Sequence, residues 1–152
     1  CKKGLMYKII FSFILMSSLA LQSFAGGEFK NAIGVKGGYG LGLTYKRYFN
    51  EKGAFEGVLH WYPGVARINA MYEFYIPIKP VNNLDFFVGP GAHLGFGGNI
   101  VWFGIDAVLG FEYQLSEIPV NLSIDWQPGI DIYSGAVNFW GGQGGLAVRY
   151  TF

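Results

Sequence analysis

Beyond residue 30, apolar side chains recur at every second position. Between Ala66 and Ile76 they are Ala66, Ile68, Ala70, Tyr72, Phe74 and Ile76, set against Arg67, Asn69, Met71, Glu73 and Tyr75. From Val101 to Tyr113 the odd residues Val101, Phe103, Ile105, Ala107, Leu109, Phe111 and Tyr113 oppose Trp102, Gly104, Asp106, Val108, Gly110 and Glu112. From Val120 to Ile132 every even residue is apolar, and the odd ones are Asn121, Ser123, Asp125, Gln127, Gly129 and Asp131. Successive side chains of a strand point to opposite faces, so a period of two marks strands with two unlike faces, whereas a helix repeats near 3.6. Eight strands are predicted, at about 31–38, 40–49, 54–62, 66–77, 85–95, 100–115, 119–132 and 137–152.

Turn-forming residues separate the runs: Asn50-Glu51-Lys52-Gly53, Pro63-Gly64, Lys79 to Asn83, Gly97-Gly98-Asn99, Ser116-Glu117 and Ser134-Gly135. A three-residue loop Glu51-Lys52-Gly53, with Gly53 left-handed, is a favoured hairpin form. It predicts Asn50 opposite Ala54 and Tyr48 opposite Glu56, with even residues on one face of both strands. Pro90 falls inside the fifth run. Proline gives a ladder no N–H and a closed sheet has no edge to hide it, so a bulge is predicted there.

The first residues read as an address. Lys2, Lys3 and Lys8 precede an apolar stretch from Ile9 to Leu21, and Ser23 and Ala25 occupy the −3 and −1 places of a cut before Gly26. This is the pattern of a cleavable secretory signal peptide, and the stretch falls short of the roughly 20 residues of a spanning helix. The chain therefore divides into a signal peptide, 1–25, and a strand-rich domain, 26–152. Met6 is a candidate initiator. Cys1 is the single cysteine. It excludes an intrachain disulfide and a cysteine metal site, and it precedes the apolar stretch where a lipoprotein cysteine follows it. Cutting after Ala25 removes Lys2, Lys3 and Lys8 and no acid, turning the net charge from +1 to −2. Such a balance suits no polyanion, and nucleic acid is not expected as a partner. With 18% aromatic and only 14% charged residues, the chain is too apolar to be disordered.

Alternation alone leaves open which face is wet. A soluble barrel turns the apolar set inward, and a membrane barrel turns it toward lipid around a polar interior. The polar face here is rich in glycine and small residues, as a narrow lumen requires. The apolar face is nearly unbroken over eight strands. Leu59, Phe74, Ile105, Leu109, Ile124 and Val148 are accordingly predicted to face lipid, with Phe49, Phe55, Trp61, Phe103, Tyr113, Trp140 and Phe152 as interfacial girdles. The predicted fold is all-β: an eight-stranded antiparallel up-and-down transmembrane β-barrel, preceded by the signal peptide.

Leu146, Val148, Tyr150 and Phe152, within Gly-Gly-Leu-Ala-Val-Arg-Tyr-Thr-Phe, resemble the C-terminal assembly signal of outer-membrane barrels. Residues 29 to 152 resemble the small eight-stranded outer-membrane barrels of the OmpA/OmpX type in Gram-negative bacteria. Ile33 to Tyr39, Thr44-Tyr45-Lys46, Phe49 to Lys52, Gly91 to Phe96 and Ile124 to Pro128 are similar to a family of uncharacterised outer-membrane β-barrel proteins. The resemblance implies a location, the bacterial outer membrane. It also implies partners: outer-membrane lipid, and the barrel-assembly machinery and periplasmic chaperones during export. It says little about activity. A monomer without cofactors is expected.

An even-stranded barrel holds both ends in the periplasm. The turns near 50–53, 79–84 and 116–118 are then periplasmic, and those near 38–40, 63–65, 96–99 and 133–136 face outward. The outward turns are unusually short, leaving little for an adhesive or receptor-binding crown.

The inward set carries Lys36, Lys46, Arg67 and Arg149 against Glu56, Glu73, Asp106, Glu112, Asp125 and Asp131, with His60 and His93 among them. Unpaired buried charge is costly, and eight strands leave room only for side chains, so a closed lumen with an ionic network is predicted. His60 and Arg67 are placed opposite each other across the 63–64 turn, a setting for a neutral histidine more than for a metal ligand. Ser123 with His60 or His93 is a conceivable hydrolytic pair, but Ser123 lies near the periplasmic end and on the polar face, whereas lipid-modifying barrels present their nucleophile to lipid or the outer rim. The glycine-rich stretch 141–145 does not link a strand to a helix, so it is no phosphate loop. The expected function is that of a non-enzymatic outer-membrane barrel with a structural or interaction role. Its rivals are a lipid-modifying barrel enzyme, a small channel and a secreted soluble ligand-binding barrel.

Overall fold

The structure, a computed structural model, describes residues 29–152, and the predicted signal peptide lies outside them. Residues 30–151 form one compact unit. It contains ten strand segments and no helix: β1 (Asn31–Gly38), β2 (Gly40–Asn50), β3 (Gly53–Tyr62), β4 (Val65–Pro77), β5 (Leu84–Gly97), β6 (Ile100–Gln114), β7 (Val120–Trp126), β8 (Gly129–Tyr133), β9 (Ala136–Trp140) and β10 (Gly144–Thr151). Every pairing is antiparallel, and each of β1 to β6 pairs with the next in sequence. β7 and β8 both pair with β6, so they are two halves of a seventh stave. β10 pairs with β7 and β9 with β8, making an eighth. The pairing of β10 with β1, from Ala32 opposite Thr151 to Gly38 opposite Gly145, closes an eight-stave up-and-down barrel.

The long final strands are broken, which the alternation did not anticipate. Pro128 cannot continue the ladder, and the seventh stave parts at Gln127 and Pro128. Its register to β6 is kept on both sides: Leu109 faces Trp126 and Asp106 faces Gly129, with the Ala107 N–H donating to the Pro128 carbonyl at 2.9 Å. The eighth stave takes up the irregularity instead. Trp126 faces Gly144, but Gly129 faces Trp140, so one extra residue is inserted between β9 and β10. A one-residue insertion reverses the faces beyond it. In β10 the odd residues Ala147, Arg149 and Thr151 are buried; in β9 the odd residues Val137 and Phe139 are the most exposed large hydrophobics, at 66% and 74%. The β8–β9 hairpin turns on Ser134 and Gly135, both left-handed (φ 49° and 79°) as a two-residue type I′ turn demands.

Two local expectations are corrected. The β2–β3 hairpin closes on two residues, with Asn50 opposite Gly53 and an irregularity at Phe49. Tyr48 faces Ala54, and Glu56 faces Lys46 rather than Tyr48. Gly53 is not left-handed; the Asn50 side chain, accepting from the Lys52 N–H at 2.8 Å, shapes the turn instead. The shift is two residues, so the even residues still share a face. At Pro90 no bulge forms. The ladder to β4 lapses there, but the pairs on either side, Met71 with Gly91 and Phe74 with Val88, keep one register. Gly89 makes this possible: a Cβ there would collide with the Tyr72 carbonyl oxygen. Its lack of a side chain lets β5 approach β4 across the missing bond.

Burial is inside-out. Among the described residues, eight hydrophobic side chains are buried against eighteen polar or charged ones. Ile33, Val35, Leu43, Phe74, Ile105, Ile124 and Val148, by contrast, are half or more exposed. Leu59 and Leu109 are half-buried on the same outer face. A soluble domain reverses this distribution.

Candidate functional site: the barrel interior

The interior is built by the even residues of β1, β2, β3 and β6 and the odd residues of β4, β5, β7, β8 and β10. Its contents fall into three layers. At the end of the 51–52 turn, Lys46 is fully buried, with its Nζ 2.6 Å from Glu112 and 2.7 Å from Glu73. Its ammonium also lies 4.8 Å from the centre of the Phe87 ring, within cation–π range. Arg149 pairs with Glu56, which also accepts from the Thr44 hydroxyl. The other guanidinium nitrogens donate to Thr44 (3.1 Å), Ser123 (2.7 Å) and Asn121 (3.3 Å). Tyr75 donates to Glu73 at 2.7 Å and Tyr48 to Glu112 at 2.6 Å.

The middle layer is mixed. Val58, Met71 and Val108 form part of a small buried apolar cluster. Lys36 pairs with Asp125 at 2.6 Å, and Gln127 donates to Asp125 at 3.1 Å. The third layer lies toward the 63–64 and 98–99 turns. Arg67 Nη2 donates to Asp106 at 3.1 Å, and Nη1 lies 3.8 Å from Asp131. His93 stands between the two acids, Nδ1 2.9 Å from Asp106 and Nε2 2.7 Å from Asp131. Asn69 donates to the second Asp106 oxygen at 3.2 Å and lies 3.4 Å from His60 Nδ1.

All twelve residues of the predicted lumen network thus project into the interior, and eleven are buried; Asp131 is half-buried. They make three groups rather than one. His60 does face Arg67 in register, but its side chain meets Asn69 while Arg67 reaches across to Asp106. Ser123 is held by Arg149, and no hydrogen bond joins it to either histidine. Of the terminal residues singled out, Leu146 and Val148 lie on the exposed face of β10, Tyr150 is half-buried and Phe152 is exposed. Except for His93 with Asp106, every ion pair among the described residues joins staves that are not neighbours. The ion pairs are therefore cross-struts of the interior.

Uncharged members of the network escaped the sequence reading: Thr44, Tyr48, Asn69, Tyr75, Asn121 and Gln127. The signal was present, since each shares the parity of its charged neighbours, but a search for charge passes over hydroxyls and amides. No group of three or more histidine, cysteine, aspartate or glutamate residues among those described has the arrangement of a metal site. Chemically the interior offers cross-linking between staves.

No protein-family model, curated protein or solved structure matches this chain.

Proposed function

We propose that this protein is an integral barrel of the bacterial outer membrane, non-enzymatic and structural or interaction-type, with a lumen closed by its own ion pairs. The observation that carries the reading is the inside-out burial: eighteen polar or charged side chains inside and an apolar belt outside. In water, so large an apolar surface would drive association, whereas the hydrocarbon of a bilayer accepts it. Barrel closure supports it too, because a closed sheet leaves no unpaired backbone in lipid. Staves such as β4, β5 and β6, of 13, 14 and 15 residues, exceed the roughly 9–11 residues of a tilted spanning strand. Lipid, the barrel-assembly machinery and periplasmic chaperones are its proposed partners, and its proposed state is monomeric.

Fractionation of expressing cells, with gel electrophoresis of heated and unheated samples, tests this reading. The protein should sediment with the outer membrane and migrate differently unheated, because a folded barrel resists detergent. Recovery in the soluble periplasmic or extracellular fraction without detergent would replace the proposal with a soluble barrel.

A further inference from the structure

At the end of the barrel carrying the 63–64 and 98–99 turns, a cavity of about 470 Å³ opens above the third ionic layer. Its wall includes Val65, Ile100, Trp102, Asp131, Tyr133 and Asn138. The volume falls within the range of small-molecule sites. We propose that this cup binds a small organic cation, a protonated amine or quaternary ammonium, with Asp131 as counter-charge and Trp102 as the aromatic platform.

Three independent observations carry this. The first is charge. The third layer sets Arg67 and His93 against Asp106 and Asp131. Asp131 is the outer of these acids, its side chain 24% exposed where that of Asp106 is fully buried; His93 Nε2 lies 2.7 Å from it and Arg67 3.8 Å. The most exposed carboxylate of the interior is therefore the one bordering the cavity.

The second is the placing of Trp102. A Cβ at Gly95 would meet three atoms of the indole at nearly equal distances, so the ring lies flat on β5 there. The far edge of the ring lies near Gly97, where a Cβ would come to 3.3–3.4 Å from it. The same ring lines the cup. An indole face is the best aromatic partner for a cation. Gly95 leaves the room for it to lie flat, and the indole Nε1 is buried without a hydrogen-bond partner, so a polar tether does not explain the pose.

The third is rim composition. Tyr133 comes from β8, Asn138 from β9, Val65 from β4 and Ile100 from β6. Apolar and aromatic walls with one carboxylate strengthen attraction for a weakly hydrated cation over a hydrated metal ion. This proposal rests on the closed barrel alone and stands whether or not the barrel lies in the outer membrane.

The test uses protein refolded in dodecyl maltoside, a detergent without charge. Choline and its neutral isostere 3,3-dimethylbutan-1-ol are titrated while the indole N–H resonances are followed, Trp102 being assigned with Trp102→Phe. Choline should shift the Trp102 signal saturably and bind about tenfold more tightly than the isostere. Asp131→Asn should abolish that preference. Val65→Trp, which fills the cup without touching the ionic layer, should abolish binding and keeps the test decisive if Asp131→Asn misfolds. Glycerophosphocholine separates the sources: binding as tight as choline assigns the cup to a lipid headgroup, and binding of choline alone assigns it to a free ammonium. Equal affinity for choline and the isostere, no saturable shift at Trp102, or undiminished choline binding in Val65→Trp would each overturn the proposal.

Discussion

Replacing Ile105 by arginine separates a lipid-facing wall from a solvated one. Ile105 is 60% exposed on β6, which runs from Ile100 to Gln114 and is centred on Ala107. Two residues at about 3.4 Å rise, tilted by roughly 40°, put Ile105 about 5 Å from the strand's midpoint. If the bilayer is centred there, arginine sits near the midplane, where it costs about 2–4 kcal/mol. Val137→Arg is the matched control: 66% exposed, but on β9 beside the 134–135 turn, where the penalty falls to about 0–1 kcal/mol. On a solvated barrel both changes would lie within about 0.5 kcal/mol of the parent. Guanidinium unfolding of all three proteins in phosphatidylcholine vesicles, followed by tryptophan emission, reads the difference. Ile105→Arg should lose at least about 2 kcal/mol more than parent, and Val137→Arg about 1 or less. Equal stability of the two variants would refute the assignment of the exposed face to lipid.

The interior makes equally definite demands. Lys46→Met leaves Glu73 and Glu112 without their shared cation in a fully buried site, a loss of about 3–5 kcal/mol in the same unfolding assay. Adding Glu73→Gln and Glu112→Gln should restore much of it, since uncharged amides remove the stranded charge. Gly89→Ala should destabilise the barrel, because its methyl meets the Tyr72 carbonyl, whereas Gly64→Ala loses only its left-handed φ preference and meets no atom within 4 Å; thermal gel-shift midpoints should rank parent above Gly64→Ala above Gly89→Ala. Single-channel recording of the refolded parent should give no large stable conductance, and a sustained open level would mean that the ionic layers do not fill the lumen.

Period-two alternation determined the strand content, the number of staves and the two faces, because a strand's side chains must alternate whatever it pairs with. Which face was inward took more than parity: the small, glycine-rich polar face and the nearly unbroken apolar face put the charges inside and Phe74, Ile105, Ile124 and Val148 outside. Turn residues placed the hairpins to within a few positions. They did not place the register at Asn50, because a two-residue and a three-residue closure of the same Asn-Glu-Lys-Gly differ in backbone detail that parity does not record. Pro90 and Pro128 show the same limit. Both are prolines inside a stave, yet one is bridged by Gly89 without a shift, while the irregularity opposite the other goes into the neighbouring stave between β9 and β10. The neighbour's ability to close up settled each outcome. Partner choice was the least legible property. Lys46 meets Glu112 from 66 residues away and Arg149 meets Glu56 from 93 away, across the lumen between staves that share no hydrogen bond. Which charge stands at which height is fixed only when the sheet closes and its stagger is set. The chain alone therefore dictated that charge would be inside; closure of the barrel decided that it would form three layers and leave Asp131 at the open end.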